Sequence, residues 1–156
     1  MNDLTAELIK GTEFESMTDD CSGLSAGSRV KTPLEILNAF LGGGLPFGSI
    51  VEIFGPNAGG KSTLTYQTVA NFMDDYEDGI VLLLDAEATT DRGRLMALGV
   101  KNPDRIIRLK ISCLEQGFEQ ITTVLKKLDD NPKLKDAKVM IVWDRHLSPY
   151  IRKSVC

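Results

Sequence analysis

The chain has 156 residues, of which 42% are hydrophobic and 26% are charged, and its formal net charge is −4. This length predicts one globular domain with a substantial core, and no stretch approaches the length of a membrane span. The acidic balance disfavours a surface that grips nucleic acid by itself. The cysteines Cys21, Cys113 and Cys156 are unclustered, so they indicate neither a disulfide framework nor a zinc site, and they suit a reducing cytoplasm.

Residues 1–30 are predicted to form a short helix followed by a flexible linker. In MNDLTAELIK, Leu4, Leu8 and Ile9 share one helical face, whereas DDCSGLSAGS is rich in Gly and Ser. Because so short a helix is marginal in water, its apolar face is expected to dock on something. The partner is either the same domain or a neighbouring subunit, which makes this segment a candidate oligomerisation arm.

The next segment, TPLEILNAFLGGG, carries the start and stop signals of a helix. Thr32 is predicted to cap the helix, Pro33 to take the first helical position, and Glu35 to complete a capping box. Gly42 to Gly44 are predicted to end it.

The segment FGPNAGGKST is predicted to be a phosphate-binding loop. An apolar strand, SIVEIF (49–54), is predicted before it, and a helix, STLTYQTVANFM (62–73), after it. The spacing G-x-x-x-x-G-K-[ST] is met by Gly55, Gly60, Lys61 and Ser62. The alternative is a Gly-rich turn with an exposed lysine, but the strand–loop–helix context favours a nucleoside triphosphate site.

The chemistry of such a loop follows from its residue types. Glycines let the backbone curl so that successive N–H groups point at one anion, and the following helix adds the positive end of its dipole. Lys61 is expected to reach the outer phosphates, and the Ser62 hydroxyl to hold Mg²⁺. The predicted nucleotide contacts in this loop are Gly55, Pro56, Asn57, Ala58, Gly59, Gly60, Lys61, Ser62 and Thr63.

Strands and helices alternate along the rest of the chain. GIVLLLDAE, RIIRLKI and KVMIVWD read as strands, and DRGRLMALGV, closed by Gly99, as a short helix. LEQGFEQITTVLKKLDD reads as an amphipathic helix. This order predicts an α/β fold with a doubly wound, mostly parallel sheet. The apolar face of the amphipathic helix is expected to consist of Leu114, Phe118, Ile121, Leu125 and Leu128.

Two predicted strands end in an aspartate, Asp85 and Asp144. Because the carboxyl ends of strands lie near the phosphates in open α/β sheets, either of them could serve the metal. Glu87 follows Asp85 by two residues, where the strand should open into the site. Its other interpretation is an acid that favours the N-terminus of the next helix.

The motifs LGGGLPFGSIVEIFGPNAGGKSTLTYQ, LLLDAE and ALGV, in this order, resemble the RecA family of recombination ATPases. The resemblance runs from about Lys31 to Asp144 and implies a RecA-like P-loop NTPase core over 31–144. The strand ending in WD and the short N-terminal helix look more like the phage branch. The family hydrolyses ATP with Mg²⁺ in a DNA-dependent manner and acts in homologous recombination and DNA repair. It assembles as a filament on single-stranded DNA.

The resemblance also implies roles for individual residues. Glu87 matches the glutamate that polarises water for attack on the γ-phosphate. Lys61 and Ser62 match the phosphate and Mg²⁺ groups, and Asp144 matches the metal-side aspartate. In the family the γ-phosphate sits between adjacent subunits, so hydrolysis depends on assembly, and the helix around Leu4 would dock on the neighbour.

Two further positions match the adenine side of the family's site. Asp91 matches an acid near the adenine. Where the family often has a tyrosine against the adenine ring, this chain has Arg94. A guanidinium can also stack on a base, so Arg94 is a candidate adenine contact.

The chain departs from the family after Asp144. Family members continue with further strands, one of which fills the sheet beside the phosphate-loop strand, and with two loops that hold DNA. Here the sequence reads RHLSPYIRKSVC (145–156), an atypical and locally basic tail in which Arg145 replaces the usual small residue. His146 is given no role. The expectation is a fragment or frameshift product whose sheet is incomplete at its C-terminus, and whether it is an active enzyme stays open.

Three other functions compete with a recombinase core. One is another RecA-like motor, such as a replicative helicase domain, and one is a small-molecule kinase. The kinase is disfavoured because the arginines around Arg92 and Arg105 form no lid-like cluster. The third is a nucleotide-binding or interaction module without enzymatic activity, which would lack ATPase stimulation by single-stranded DNA.

Overall fold

The structure, a computed structural model, describes residues 28–85 and 90–144. The predicted helix around Leu4, the candidate Glu87 and the tail after Asp144 lie outside these residues. No helix within the described ranges is long and apolar enough to cross a membrane. The strands of the described residues are β1 (Arg29–Val30), β2 (Leu45–Pro46), β3 (Ile80–Asp85), β4 (Ile106–Leu109) and β5 (Val139–Asp144). The α-helices are α1 (Glu35–Phe40), α2 (Lys61–Asp75), α3 (Arg92–Ala97) and α4 (Leu114–Asp129).

The main sheet has three parallel strands in the order β4-β3-β5. The uninterrupted apolar run of β3 suits its central position, because a central parallel strand is covered on both faces. The register pairs Ile80 with Val139 and Asp85 with Asp144. The two aspartates therefore lie side by side at the carboxyl ends of neighbouring strands. A separate antiparallel ladder joins β1 to β2.

Helices cover both faces of this sheet. Val81 and Leu83 of β3 lie in the core cluster that includes α2, whereas Leu82 and Leu84 lie in the cluster that includes α4. The two sets alternate because successive side chains of a strand point to opposite faces. The predicted α/β fold with a doubly wound parallel sheet is thereby confirmed. The residues that α2 contributes to its cluster are Tyr66, Val69, Ala70, Phe72 and Met73.

The amphipathic helix α4 packs on the sheet through only part of its predicted apolar face. Leu128 is buried and Ile121 packs against the core, but the side chain of Phe118 is 61% exposed. The ring of Phe118 lies beside Trp143 of β5, with ring centroids 5.4 Å apart. Gly117 lies directly against Trp143, and α4 can approach the sheet this closely because glycine has no side chain.

The predicted cap of α1 is wrong. The helix begins at Glu35 with Leu34 as its N-cap and has no side-chain capping bond. Thr32 instead pairs with Asn38: its backbone N–H and its hydroxyl both donate to Asn38 Oδ1, each at 2.8 Å. Asn38 Nδ2 returns a hydrogen bond to the Thr32 carbonyl at 2.9 Å. Because these groups satisfy one another, the residues between Thr32 and Glu35 stay outside the helix and no capping box forms.

The predicted strand SIVEIF (49–54) is also wrong. These residues have no strand assignment and form no ladder with any described strand. They stand across a cleft of about 310 Å³ from β5, with Val51 and Ile53 on one side and Ile141 on the other. A strand needs a hydrogen-bonded neighbour, and within the described residues nothing fills this gap. Among the described residues the sheet is incomplete at this edge, as the resemblance to the family predicts.

Candidate nucleotide-binding site

The loop between residues 55 and 60 turns sharply into α2. Gly60 is the N-cap of the helix with φ 82° and ψ 7°, a left-handed conformation that glycine adopts without a steric penalty. Ala58 also has a positive φ, 58°, and the Gly59 N–H donates to the Pro56 carbonyl at 3.2 Å. The backbone is therefore curled immediately before Lys61, as the spacing of the motif predicts.

The N-terminus of α2 lacks the side chains that usually satisfy such an end. No side chain caps it, and its first turn contains no acidic residue. The first N–H groups of a helix have no intrahelical acceptor, and they carry the positive end of the helix dipole. An anion is the partner that this end of the helix fits, and a phosphate group has the required charge and acceptors.

The Lys61 side chain folds back over the loop. Its Nζ donates to the carbonyls of Gly55 at 3.0 Å and Pro56 at 2.8 Å. A lysine ammonium is a point charge on a flexible stem, so it can turn from these carbonyls to a phosphate oxygen. The Lys61 ammonium is thus held within the turn of the loop.

Asp144 joins this group from the end of β5. Lys61, Ser62 and Asp144 line the same cleft of about 310 Å³. Within the described ranges no cluster of three or more His, Cys, Asp or Glu side chains could hold a metal by itself. One hydroxyl and one carboxylate beside a phosphate site fit Mg²⁺, which prefers few protein ligands supplemented by water and phosphate oxygens.

Tyr66 connects α2 to Asp144. Its hydroxyl donates to Asp144 Oδ2 at 2.6 Å and lies 2.6 Å from the Thr90 hydroxyl. Burial, followed by the hydrogen bond to Asp144, raises the pKa of Tyr66 above its ordinary value. The tyrosine is therefore a protonated, neutral donor to the carboxylate.

Asp85, the other candidate for the metal, is engaged elsewhere. Its carboxylate is almost fully buried, and Oδ2 pairs with Arg108 Nη2 at 2.9 Å. The same oxygen accepts the backbone N–H of Thr90 at 3.0 Å. An arginine and a backbone donor thus compensate this carboxylate inside the protein, and it does not line the cleft with Ser62.

The two candidates for the adenine side occupy different places. Asp91 caps α3, where its Oδ1 accepts the Arg94 backbone N–H at 2.8 Å. The Arg94 guanidinium lies 6.0 Å from the centroid of the Tyr66 ring. Arg94 also lines a second, wider cleft together with the loop from Gly59 to Thr63 and Asp144. The structure therefore brings Arg94, but not the Asp91 carboxylate, into the lining of the loop's clefts.

No sequence pattern predicts the contacts that three side chains make in this region: Tyr66, Thr90 and Arg108. Tyr66 reads as one more ring on the buried face of α2, and Thr90 as a loop residue. Arg108 gives a signal, since it is a charge within the apolar segment RIIRLKI. Only the spatial meeting of β3, β4 and α2 shows what these three side chains contact.

Comparison with known proteins agrees with the motifs. A sequence model described as the RecA N-terminal domain matches residues 13–142. Protein RecA of Streptomyces rimosus is 36% identical over 108 residues, which cover 64% of this chain and 28% of that protein. Protein RecA of Borreliella burgdorferi is 47% identical over 66 residues, 42% of this chain and 18% of that protein.

A plant relative shows the same partial coverage. DNA repair protein recA homolog 3, mitochondrial, of Arabidopsis thaliana is 35% identical over 84 residues, 54% of this chain and 19% of that protein. The aligned part of the chain thus spans between 18% and 28% of these three relatives. Because the family model matches most of its length and its core is a parallel α/β sheet, the chain belongs to the RecA family of recombination and DNA repair proteins.

Proposed function

We propose that the chain binds ATP together with Mg²⁺ at the loop 55–63. The observation that carries this proposal is the meeting of Lys61, Ser62 and Asp144 around one cleft, beside a helix N-terminus that no side chain caps. The curled backbone and the helix end would bind the phosphates, and Lys61 would leave the Gly55 and Pro56 carbonyls for the outer phosphates.

Mg²⁺ would neutralise charge that develops on the phosphates during transfer. Ser62 supplies a hydroxyl for it, and Asp144 supplies a carboxylate from the end of β5. We assign the metal side to Asp144 rather than Asp85, because Asp85 is already paired with Arg108 and lies outside the cleft. Arg94 is the candidate adenine contact, or a second cation near the phosphates, since it lines the wider cleft with the loop.

We also propose that the bound ATP is hydrolysed. Glu87 would orient the attacking water, as the family's glutamate does, and the reaction would proceed by positioning and charge stabilisation. We further propose that DNA stimulates this ATPase in homologous recombination and repair, within a filament on single-stranded DNA. The N-terminal segment would contact the neighbouring subunit. We also propose that the chain belongs to the phage branch of the family.

A second function is favoured by one observation. The segment 49–54, which carries the loop, is not part of the sheet in the described residues. A loop held this way could bind a nucleotide and yet not hold the reacting groups at the distances that hydrolysis requires. The alternative is therefore a nucleotide-binding module without enzymatic activity, which would show no ATPase stimulation by single-stranded DNA.

The first test is nucleotide binding by the purified chain. Affinity for a fluorescent ATP analogue and thermal unfolding would be measured with and without Mg²⁺. Lys61→Ala should weaken binding by about 100-fold, because it removes charge-assisted hydrogen bonds to the phosphates. Lys127→Ala, an equal charge change on the exposed side of α4, should bind like the wild type. Equal affinity of the two variants would count against the loop as the binding site.

The second arm separates the two functions. Glu87→Gln should keep the wild-type affinity for the analogue but lose ATP hydrolysis, measured as phosphate release. Single-stranded DNA should raise phosphate release by the wild type if the recombinase proposal is right. Binding without any response to DNA would favour the module, and loss of binding in Glu87→Gln would remove Glu87 from its proposed role.

A further inference from the structure

The hydroxyl of Tyr66 needs an explanation that packing does not supply. Tyr66 lies on α2 one turn after Ser62, and only 2% of the residue is exposed. A phenylalanine would bury the same ring without taking a hydroxyl out of water, which costs free energy unless hydrogen bonds replace the lost ones. Two partners, Asp144 and Thr90, replace them here, each at 2.6 Å.

The chemistry of the partners fixes the direction of these bonds. An ionised carboxylate only accepts, so the single hydrogen of the Tyr66 hydroxyl points to Asp144 Oδ2. The Thr90 hydroxyl must then donate to the tyrosine oxygen. Thr90 is held in turn, because its backbone N–H donates to Asp85, which also pairs with Arg108. A continuous chain of hydrogen bonds therefore links β4, β3, α2 and β5.

This arrangement holds Asp144 without neutralising it. None of the three ion pairs among the described residues involves Asp144. Tyr66 is a neutral donor that engages Oδ2, so the negative charge of the carboxylate and acceptor sites on its oxygens stay available. A charged carboxylate fixed beside Ser62 in a cleft is suited to a divalent cation or to a water bound to one.

We propose that Tyr66 is a positioning residue for a divalent cation, which it serves by fixing the carboxylate of Asp144. Groups that orient a metal ligand from behind commonly change metal affinity by about 10- to 100-fold when they are removed. The inference rests on the proposed function for the nucleotide that would share the ion. It goes beyond that function by assigning the hydroxyl of Tyr66, and the Thr90 donor behind it, to the metal side.

The test compares Tyr66→Phe with the wild type through the effect of Mg²⁺ on nucleotide affinity. The Kd of a fluorescent ATP analogue would be measured with Mg²⁺ and with EDTA. The Kd in EDTA divided by the Kd in Mg²⁺ reports how strongly the ion and the nucleotide are coupled. Tyr66→Phe should reduce this ratio by about tenfold and leave the Kd in EDTA unchanged. A merely structural role would change both Kd values alike, so that result, or an unchanged ratio, overturns the proposal.

Two variants calibrate the result. Asp144→Asn should remove most of the coupling, which locates it at this carboxylate. Tyr76→Phe makes the same atomic change at the end of α2, where the Tyr76 ring packs on Phe47 and Phe72. Its ratio should equal that of the wild type. Urea unfolding of each variant checks that all of them fold.

A nucleotide-free measurement keeps the outcome separate from the proposed function. Mn²⁺ binding to the chain alone would be followed by water-proton relaxation. If the wild type binds no nucleotide, the proposed function fails and this titration decides about Tyr66. Weaker Mn²⁺ binding in Tyr66→Phe than in Tyr76→Phe supports the positioning role. Equal Mn²⁺ binding in both variants overturns it, and so does the absence of Mn²⁺ binding by a wild type that also binds no nucleotide.

Discussion

At the scale of single residues, Gly117 is placed where no other residue fits. A Cβ at this position of α4 would lie 2.7 Å from Trp143 Cη2 and 3.3 Å from Leu84 Cδ2. Trp143 precedes Asp144 on β5, so the close approach of α4 also fixes the strand that carries the candidate metal ligand. The sequence GFEQ gives no hint of this, because a glycine inside a helix ordinarily weakens it.

The sign of one substitution tests this contact. In an exposed helix, Gly→Ala stabilises by up to about 1 kcal/mol through helix propensity. Gly117→Ala should instead lower the free energy of unfolding by about 1–3 kcal/mol, because the methyl group overpacks against the indole ring. Urea denaturation measures the difference. Thr123→Ala, on the exposed side of the same helix, should stabilise by up to about 0.7 kcal/mol through helix propensity alone. Stabilisation by Gly117→Ala would contradict the close approach.

At the scale of elements, Arg105 joins the end of α2 to the start of β3. Its guanidinium donates to four carbonyls: Met73 at 2.7 Å, Tyr76 at 2.8 Å, Glu77 at 2.6 Å and Gly79 at 3.2 Å. Carbonyls at a helix C-terminus lack intrahelical donors and favour a positive charge. One side chain from the turn before β4 therefore connects the end of α2 to the start of the central strand β3.

Loss of this connection should be costly. Arg105→Met should lower the free energy of unfolding by about 2 kcal/mol, since hydrogen bonds from a charged donor are among the stronger ones. Arg92→Met is the matched control, because Arg92 makes an exposed ion pair with Asp104 at 3.0 Å. Such pairs contribute about 0–1 kcal/mol. Chemical denaturation of both variants would show the contrast, and equal effects would argue against the role of Arg105.

Hydrophobic spacing predicts an element correctly when the strands or helices that pack against that element are also present. The buried run of β3, the long helix α2 and the amphipathic α4 form where apolar spacing indicates them. The segment SIVEIF has an equally good pattern, but a strand depends on a partner, and the described residues supply none. Thr32 has the chemistry of a cap, yet its hydroxyl finds Asn38 instead.

At the scale of the whole molecule, several large apolar side chains of the described residues are exposed to solvent. Ile36 is 75% exposed and Phe40 is 85% exposed, one turn apart on α1. Ile50 and Phe54, beside the candidate nucleotide-binding loop, are exposed as well. Contiguous exposed apolar residues commonly mark interaction sites. The described residues therefore present a surface suited to association.

Association through α1 can be separated from stability. The double variant Ile36→Ser/Phe40→Ser should reduce self-association, measured by sedimentation over a range of concentrations. It should change the free energy of unfolding by no more than about 0.5 kcal/mol, because both side chains are already in water. Met96→Ser, at an exposed position on α3, should leave association as in the wild type. A loss of stability in the double variant would show that these side chains are covered within the monomer.

The candidate site divides in the same way between local and distant information. The motif predicts Gly60, Lys61 and Ser62 as nucleotide contacts, because the loop and the helix start are local structures. The hydrogen bond between Tyr66 and Asp144 joins residues 78 positions apart, and it needs the β3–β5 register as well as the packing of α2. No periodicity in one sequence contains that register.

The parallel pairing of β3 with β5 also affects the order in which the site assembles during folding. The β3–β4 ladder closes 25 residues (106 − 81), whereas the β3–β5 ladder closes 59 (139 − 80). The difference in loop-closure entropy is about 0.8 kcal/mol, and it favours early formation of the shorter ladder. The loop around Lys61 needs only neighbouring residues, but Asp144 arrives with the last strand to pair. The proposed anion-binding half of the candidate site would therefore form before its proposed metal-binding half.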